Sequence, residues 1–377
     1  MIWISSAFDG GNIIVHRACA PDDIELAIAK DAHADFAQWF YFRVSGVRGA
    51  DCVLRIVGLD QSSYPHGWPD YRACASVDRE NWFRVETVYA NDTLTIRHRA
   101  RSDSVYFAYF APYSMERHHD LIARVSAHAV ARHAVIGRTL DGQDIDLVTL
   151  GMPTAGKKTC WLIARQHPGE TMAEWWMEGA LARLADPADP VSRALLEKAV
   201  FYVVPNMNPD GSRRGHLRTN AAGVNLNREW HAPSPERSPE VLCVRNHMDR
   251  TGVDFFLDVH GDESLPYNFI AGFDGIPSLT QAQGDLLARY RATLARLSPD
   301  FQTEKGYPPS PPGKANLSMA GNQIAERFGC LSGTLEMPFK DTAATPDPVH
   351  GWSPARARAL ARACLDALHL MIDDLRR

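Results

Sequence analysis

The chain has 377 residues, 45% of them hydrophobic and 23% charged, which suits a folded protein of two domains that each bury a core. Its net charge of −5, with basic residues dispersed, excludes a nucleic-acid-binding class, and no stretch approaches the about 20 apolar residues that span a bilayer. Seven cysteines lie scattered without a Cys-x-x-Cys pair, which excludes a disulfide framework and a thiolate zinc site.

The first residues, MIWISSAFDGG, lack the basic and apolar regions of a signal peptide, so a cytoplasmic protein is expected. Next come WFYFRV, CVLRIVGL, WFRVETVYA, DTLTIRHRA and VYFAYFAPY, short segments rich in β-branched and aromatic residues and separated by turn residues. They predict an antiparallel β-sandwich. SMERHHDLIARVSAHAV has helical spacing and leads out of it. The expected division is residues 1–120 for the sandwich and 121–377 for a second domain.

In that second domain IDLVTL, TCWLIA, VFYVVP, DFFLDV and LSGTLEMP read as strands buried on both faces. Helical patterns separate them. MAEWWMEGALARLA opens with Thr171 and Glu174 at capping-box spacing. Ser238-Pro239 and Ser353-Pro354 each read as an N-cap serine with proline at the first helical position. Alternating strands and helices predict a three-layer α/β/α domain around a mixed, mainly parallel sheet. The Pro-rich piece Lys305–Lys314 reads as an irregular surface loop.

Chemistry-bearing residues fall at the ends of these strands. His167-Pro-Gly-Glu170 follows TCWLIA and precedes a helix, and His260 follows DFFLDV. Two histidines and a glutamate form a hydrolytic zinc set that leaves one coordination position open, and carboxyl strand ends are where α/β active sites form. Asp258 reads either as a hydrogen-bond partner of a ligand histidine or as a satisfied strand carboxylate. Glu336 ends LSGTLE, where a carboxylate can take a proton from an attacking water. The loop after VFYVVP carries Asn206-Met-Asn-Pro-Asp210-Gly211, Arg218 and Gly223-Val-Asn225-Leu-Asn227-Arg228. Its guanidinium and amide groups suit a carboxylate, though the same residues also describe a polar surface loop.

The motifs HPGE, NPDG, NLNR, DVHG and TLE, in that order, resemble those of zinc metallocarboxypeptidases of the carboxypeptidase A type. The likeness covers the C-terminal two-thirds, from IGRTLDGQDIDLVTLG onward. A preceding β-sandwich and the stretch Gly223 to Trp230 are similar to the cytosolic carboxypeptidase branch. The resemblance implies one zinc ion held by His167, Glu170 and His260, with Glu336 as general base and proton shuttle. It implies Asn227 and Arg228 on the substrate's terminal carboxylate and Arg218 on the scissile carbonyl. The substrate would be the C-terminus of a peptide or protein. The family's loop tyrosine has Tyr307 as its nearest counterpart, without a motif around it. In this branch a basic residue often selects acidic C-termini such as glutamate, for which Lys314, Arg213 and Arg214 are candidates. Two other readings remain at this point: a zinc amidohydrolase of the aspartoacylase or succinylglutamate desuccinylase type, and a non-catalytic peptide-binding module.

Overall fold

The computed structural model describes residues 2–375. The aromatic and β-branched segments of the first third form two five-stranded sheets. One aligns Trp3–Ser5 (β1), Tyr41–Ser45 (β4), Ser104–Ala108 (β10), Cys74–Ser76 (β6) and Phe83–Arg84 (β7), all antiparallel. The other aligns Ile14–Ala20 (β2), Asp23–Ala27 (β3), Asp51–Ile56 (β5), Thr93–Arg99 (β9) and Glu86–Ala90 (β8). Its pairs are antiparallel except β3–β5, which run parallel. Alternate residues point inward, as Cys52, Leu54 and Ile56 on β5 and Leu94 and Ile96 on β9 show.

A seven-stranded sheet follows, in the order Ala131–Arg138 (β11), Asp144–Leu150 (β12), Ala199–Val204 (β14), Lys158–Ala164 (β13), Phe255–Asp262 (β15), Leu331–Pro338 (β17) and Phe269–Ala271 (β16). The central strands β14, β13, β15 and β17 are parallel, and the outer pairs are antiparallel. The helices are Met115–Ser126 (α1), Met172–Ala185 (α2), Pro190–Lys198 (α3), Pro209–Arg214 (α4), Pro239–Thr251 (α5), Gln281–Leu297 (α6), Ala320–Phe328 (α7) and Pro354–His369 (α8). Strand β13 shows why the layers form. Cys160, Leu162 and Ala164 join the apolar cluster that contains α2 and α8, while Trp161 and Ile163 join the one that contains α5. A fully apolar strand of period two therefore requires cover on both faces.

The predicted helix starts hold in position but differ in chemistry. Thr171 has helical backbone angles, and its hydroxyl donates to Ala111 O at 2.9 Å in place of capping α2. Glu174 turns to His118 and Arg165. A neighbouring carbonyl from the N-terminal sheets outcompetes the local cap, so no capping box forms. Pro239 and Pro354 open α5 and α8 as expected, but neither Ser238 nor Ser353 caps with its side chain. Ser238 donates to Glu229.

The sheets meet without a gap. Buried side chains of the two N-terminal sheets and of α2 and α8 belong to one apolar cluster, and Tyr109 stacks on Phe339 at 4.5 Å. Arg84, buried between them, donates to Phe339 O at 2.6 Å and to Trp352 O at 3.3 Å.

Candidate active site

The carboxyl ends of β13, β15 and β17 bring the sequence-predicted residues together. Arg165 leaves β13 with a left-handed φ of 57°, turning the chain into the His167–Glu170 segment. Gly169 packs closely there, since a Cβ would lie 3.0 Å from the Leu217 carbonyl oxygen. His260 and Glu336 are register partners on parallel strands β15 and β17, so their side chains leave the sheet on one face.

His167 Nδ1 lies 2.6 Å from Glu170 Oε1, His260 Nδ1 lies 2.8 Å from Glu170 Oε2, and the two Nδ1 atoms are 3.2 Å apart. All three residues are buried. The opposite ring nitrogens are held: His260 Nε2 lies 2.8 Å from Asp258 Oδ2, and His167 Nε2 lies 3.0 Å from Asn225 Oδ1. Each acceptor takes the Nε2 proton and so turns an Nδ1 lone pair toward the shared point. Gln166 steadies this outer layer, donating to Asp258 Oδ2 at 2.6 Å and accepting from Trp230 Nε1 at 2.7 Å. Of the two readings open for Asp258, the hydrogen-bonded partner of a ligand-type histidine is the one observed. Gln166 escaped the sequence reading, and Asn225, offered there among amides suited to a carboxylate, holds a histidine ring instead; nothing local marks either as the partner of a distant ring.

The donor set fits a divalent ion. Tetrahedral zinc with bonds of about 2.0–2.1 Å needs donors roughly 3.3 Å apart, close to the separation of the two nitrogens. Two imidazoles and a carboxylate, screened from solvent, are the borderline donors this ion takes. Burial, with Arg218 nearby, pushes His167 down to about 4, which keeps its ring neutral. Burial also works against charge on His260, but Asp258 and Glu170 outweigh it and raise that ring. Glu170 is lowered against burial by the two histidines. A positive charge at this point is thus already favoured by the surrounding carboxylates.

Around the three converging side chains stand the other predicted groups. Glu336 is 7% exposed and its Oε2 has no hydrogen-bond partner. Burial raises its carboxyl well above the usual range, and Glu170, Asp262 and Glu263 add to this against the pull of His260. Glu263, which carried no signal in the sequence, is raised by burial and Glu170, and among the described residues its Oε1 has no hydrogen-bond partner. No described residue accepts a hydrogen bond from the Arg218 guanidinium, which lies over the rings of Phe36 and Tyr64 at 5.7 and 5.5 Å. Burial opposes its charge, and Tyr64, Glu170, Glu263 and Glu336 sustain it. Arg228 is lowered by burial and by Arg218, with Tyr64 and Tyr307 acting in the other direction; its Nη1 donates to Asn227 O at 2.7 Å. Asn227 accepts the Ala320 N–H at 2.8 Å through Oδ1, so only its amide nitrogen remains for a ligand.

Tyr307 stands beside this group: its hydroxyl donates to Asp262 Oδ2 at 2.5 Å, and burial and Glu336 raise it. The Pro-rich loop that carries it forms one wall of a cavity of about 600 Å³, shared with Ile270, Gly272, Arg291 and Met319. Arg291 Nε is buried and unpartnered. Burial lowers this guanidinium, and Asp274 on the same wall acts against that. Of the basic residues considered from sequence, Lys314 is exposed and does not line the cavity, while Arg214 pairs with Asp141 at 2.7 Å. Arg291 carried no sequence signal, because it sits on α6 among ordinary helix-surface charges.

A sheet with two histidines and a glutamate converging at its carboxyl edge defines the class of metal-dependent hydrolases. Comparison with known proteins narrows the class. Residues 4–110 match the cytosolic carboxypeptidase N-terminal domain, and residues 118–271 match zinc carboxypeptidase. A protein of Zymomonas mobilis is 57% identical over 99% of this chain and 97% of its own. The metallo-carboxypeptidase of Pseudomonas aeruginosa, solved with (2-guanidinoethylmercapto)succinic acid, superposes with a TM-score of 0.97 at 45% identity, covering 99% of this chain and 100% of that one. Human cytosolic carboxypeptidase 1 is 29% identical over 72% of this chain, which spans only 26% of that relative's length. The chain belongs to the zinc carboxypeptidase family and is a peptidase of the metallocarboxypeptidase type. That membership displaces the amidohydrolase and the non-catalytic module as readings of the fold.

Proposed function

We propose that the chain removes single residues from the C-termini of peptides or proteins, with His167, Glu170 and His260 holding one zinc ion and Glu336 acting as base. The observation that carries this is the meeting of those three donors at 2.6–3.2 Å beside an unpartnered Glu336 carboxylate oxygen. The bound ion supplies Lewis acidity, acidifying a water and polarising a carbonyl. Glu336 takes the proton from the attacking water and returns it to the nitrogen of the departing amino acid, so the carboxylate ends as it began. Arg218 offers free N–H donors to the oxygen that gains negative charge as the carbonyl carbon becomes tetrahedral. Arg228 and the Asn227 amide hold the substrate's terminal carboxylate, a role suited to a guanidinium fork. Tyr307, hydrogen-bonded to Asp262, closes the remaining side.

Preference for acidic terminal residues is part of this reading, and Arg291 is its determinant. Its guanidinium has no counter-ion pair and faces a cavity whose wall also carries Tyr307. A substrate carboxylate there would replace lost hydration with charge-assisted hydrogen bonds. Arg291→Met should raise KM for a glutamate-terminated peptide about tenfold or more and leave a leucine-terminated one within about threefold. Equal effects on both would remove Arg291 from this role.

Among the described residues no disulfide joins the cysteines, and no helix is long and apolar enough to cross a membrane; action in the cytoplasm is part of this reading through the likeness to cytosolic carboxypeptidases. The function is tested by incubating the zinc-loaded chain with peptides bearing free or amidated C-termini, with and without chelator, and weighing the products. Loss of one terminal residue from free C-termini alone, abolished by chelator, is expected. Intact peptides, or cleavage inside them, would refute the reading.

A further inference from the structure

We propose that two loops of the N-terminal region complete the active site: Asp31 fixes the backbone that carries Arg218, and Phe36 with Tyr64 holds its guanidinium. This rests on the role given above to Arg218. The carboxylate of Asp31 is 3% exposed. It accepts the N–H groups of Leu217, Arg218 and Thr219 at 2.6, 2.8 and 2.9 Å and the Thr219 hydroxyl at 3.0 Å. Three successive amides aimed at one anion set the direction of the backbone at residue 218.

Further bonds weld the two segments together. Asn12 Nδ2 donates to Gly215 O at 2.9 Å, and Ala32 N donates to His216 Nε2 at 3.1 Å. Gly223, with φ of 74°, leaves no room for a Cβ, which would sit 2.3 Å from His33 O. The turn that presents Asp31 is closed by Asp31 N donating to Phe36 O at 2.8 Å. One turn therefore supplies a carboxylate to the main chain of residue 218 and, five residues later, a ring to its side chain.

The arrangement leaves the donors of Arg218 unspent. Cation–π contact with Phe36 and Tyr64 holds the guanidinium without consuming an N–H. A carboxylate in their place would compete with substrate for the same donors. These loops of the N-terminal region thus act as positioning elements through Arg218, and their removal would leave the loop that carries Arg218 without its anchor.

A double-mutant cycle in the full, zinc-loaded chain tests this. Arg218→Ala should lower kcat about 10²–10³-fold, as loss of an oxyanion donor does. Asp31→Asn should lower kcat by about tenfold or more, change KM less than about threefold, and leave zinc content unchanged. In the Arg218→Ala background the same Asp31→Asn change should cost less than about twofold. Multiplicative losses, or wild-type kcat in Asp31→Asn, would overturn the proposal. Should Asp31→Asn fail to fold, Phe36→Leu decides by the same cycle, with a loss of a few-fold expected only when Arg218 is present. If Arg218→Ala itself left kcat unchanged, the role of Arg218 would fall, and this proposal with it, while activity toward free C-termini would still stand.

Discussion

Glu336, near the carboxyl end of β17, has one carboxylate oxygen that no described residue satisfies, a costly arrangement for a buried acid. Such an orphan is tolerable where another group occupies the position during work, as water beside the proposed metal would. Glu336→Gln preserves the shape but removes the proton acceptor. It should retain zinc and lose about 10²–10⁴-fold in kcat, as metal analysis and steady-state kinetics on one preparation would show. Normal turnover with zinc bound would dismiss Glu336 as the base. At this scale the convergence of His167, Glu170 and His260 was legible because the segments that carry them follow apolar runs, and position in a sheet follows from such runs. Their partners were not. Asn225, offered by its motif as a carboxylate-binding amide, acquires its meaning from a ring 3.0 Å away, and Arg291 from a cavity wall; local sequence marks neither use.

Elements were legible to the extent that periodicity decides them. MAEWWMEGALARLA forms α2 over the expected residues, and the run DFFLDV lies within β15 except for its first residue, Asp254. Cap chemistry was less legible, since Thr171 spends its hydroxyl on Ala111 O, a partner distant in sequence. The β3–β5 parallel pair was similarly hidden, because alternation in a strand fixes its faces but not its direction. Helix contact also rests on a residue without a side chain. Gly179 of α2 faces α8, and a Cβ there would lie 2.6 Å from the Cα and the carbonyl oxygen of Arg358. Neither atom can move without its helix, so Gly179→Ala should cost about 1–3 kcal/mol despite the better helix propensity of alanine. Denaturant unfolding of the variant would read this directly, and unchanged or greater stability would contradict the contact.

For the whole molecule, burial of charge sets a limit on stability at alkaline pH. Glu240 is fully buried, and burial raises its carboxyl to about 7, only partly offset by hydrogen bonds that include Asn220. The unfolded group titrates near about 4.3. Between these values the native state holds a proton that the unfolded state has lost, so stability falls as pH rises through the window, by about 3 kcal/mol in all. Glu240→Gln should therefore stabilise the chain more at pH 8 than at pH 5, as paired melting curves would show; an equal shift at both would contradict the assignment. The continuous apolar cluster joining the N-terminal sheets to α2 and α8 makes the proposed two domains one mechanical body, consistent with a loop anchored by Asp31 at one end and carrying Arg218 at the other. The account as a whole depends on His167, Glu170 and His260 sharing one divalent ion. Zinc titration of metal-free protein against a chromophoric chelator tests it most directly. One tight site in the native chain, weakened at least about a hundredfold by His260→Ala, is the predicted result. Equal affinity in the variant, or no tight site in the native chain, would contradict it.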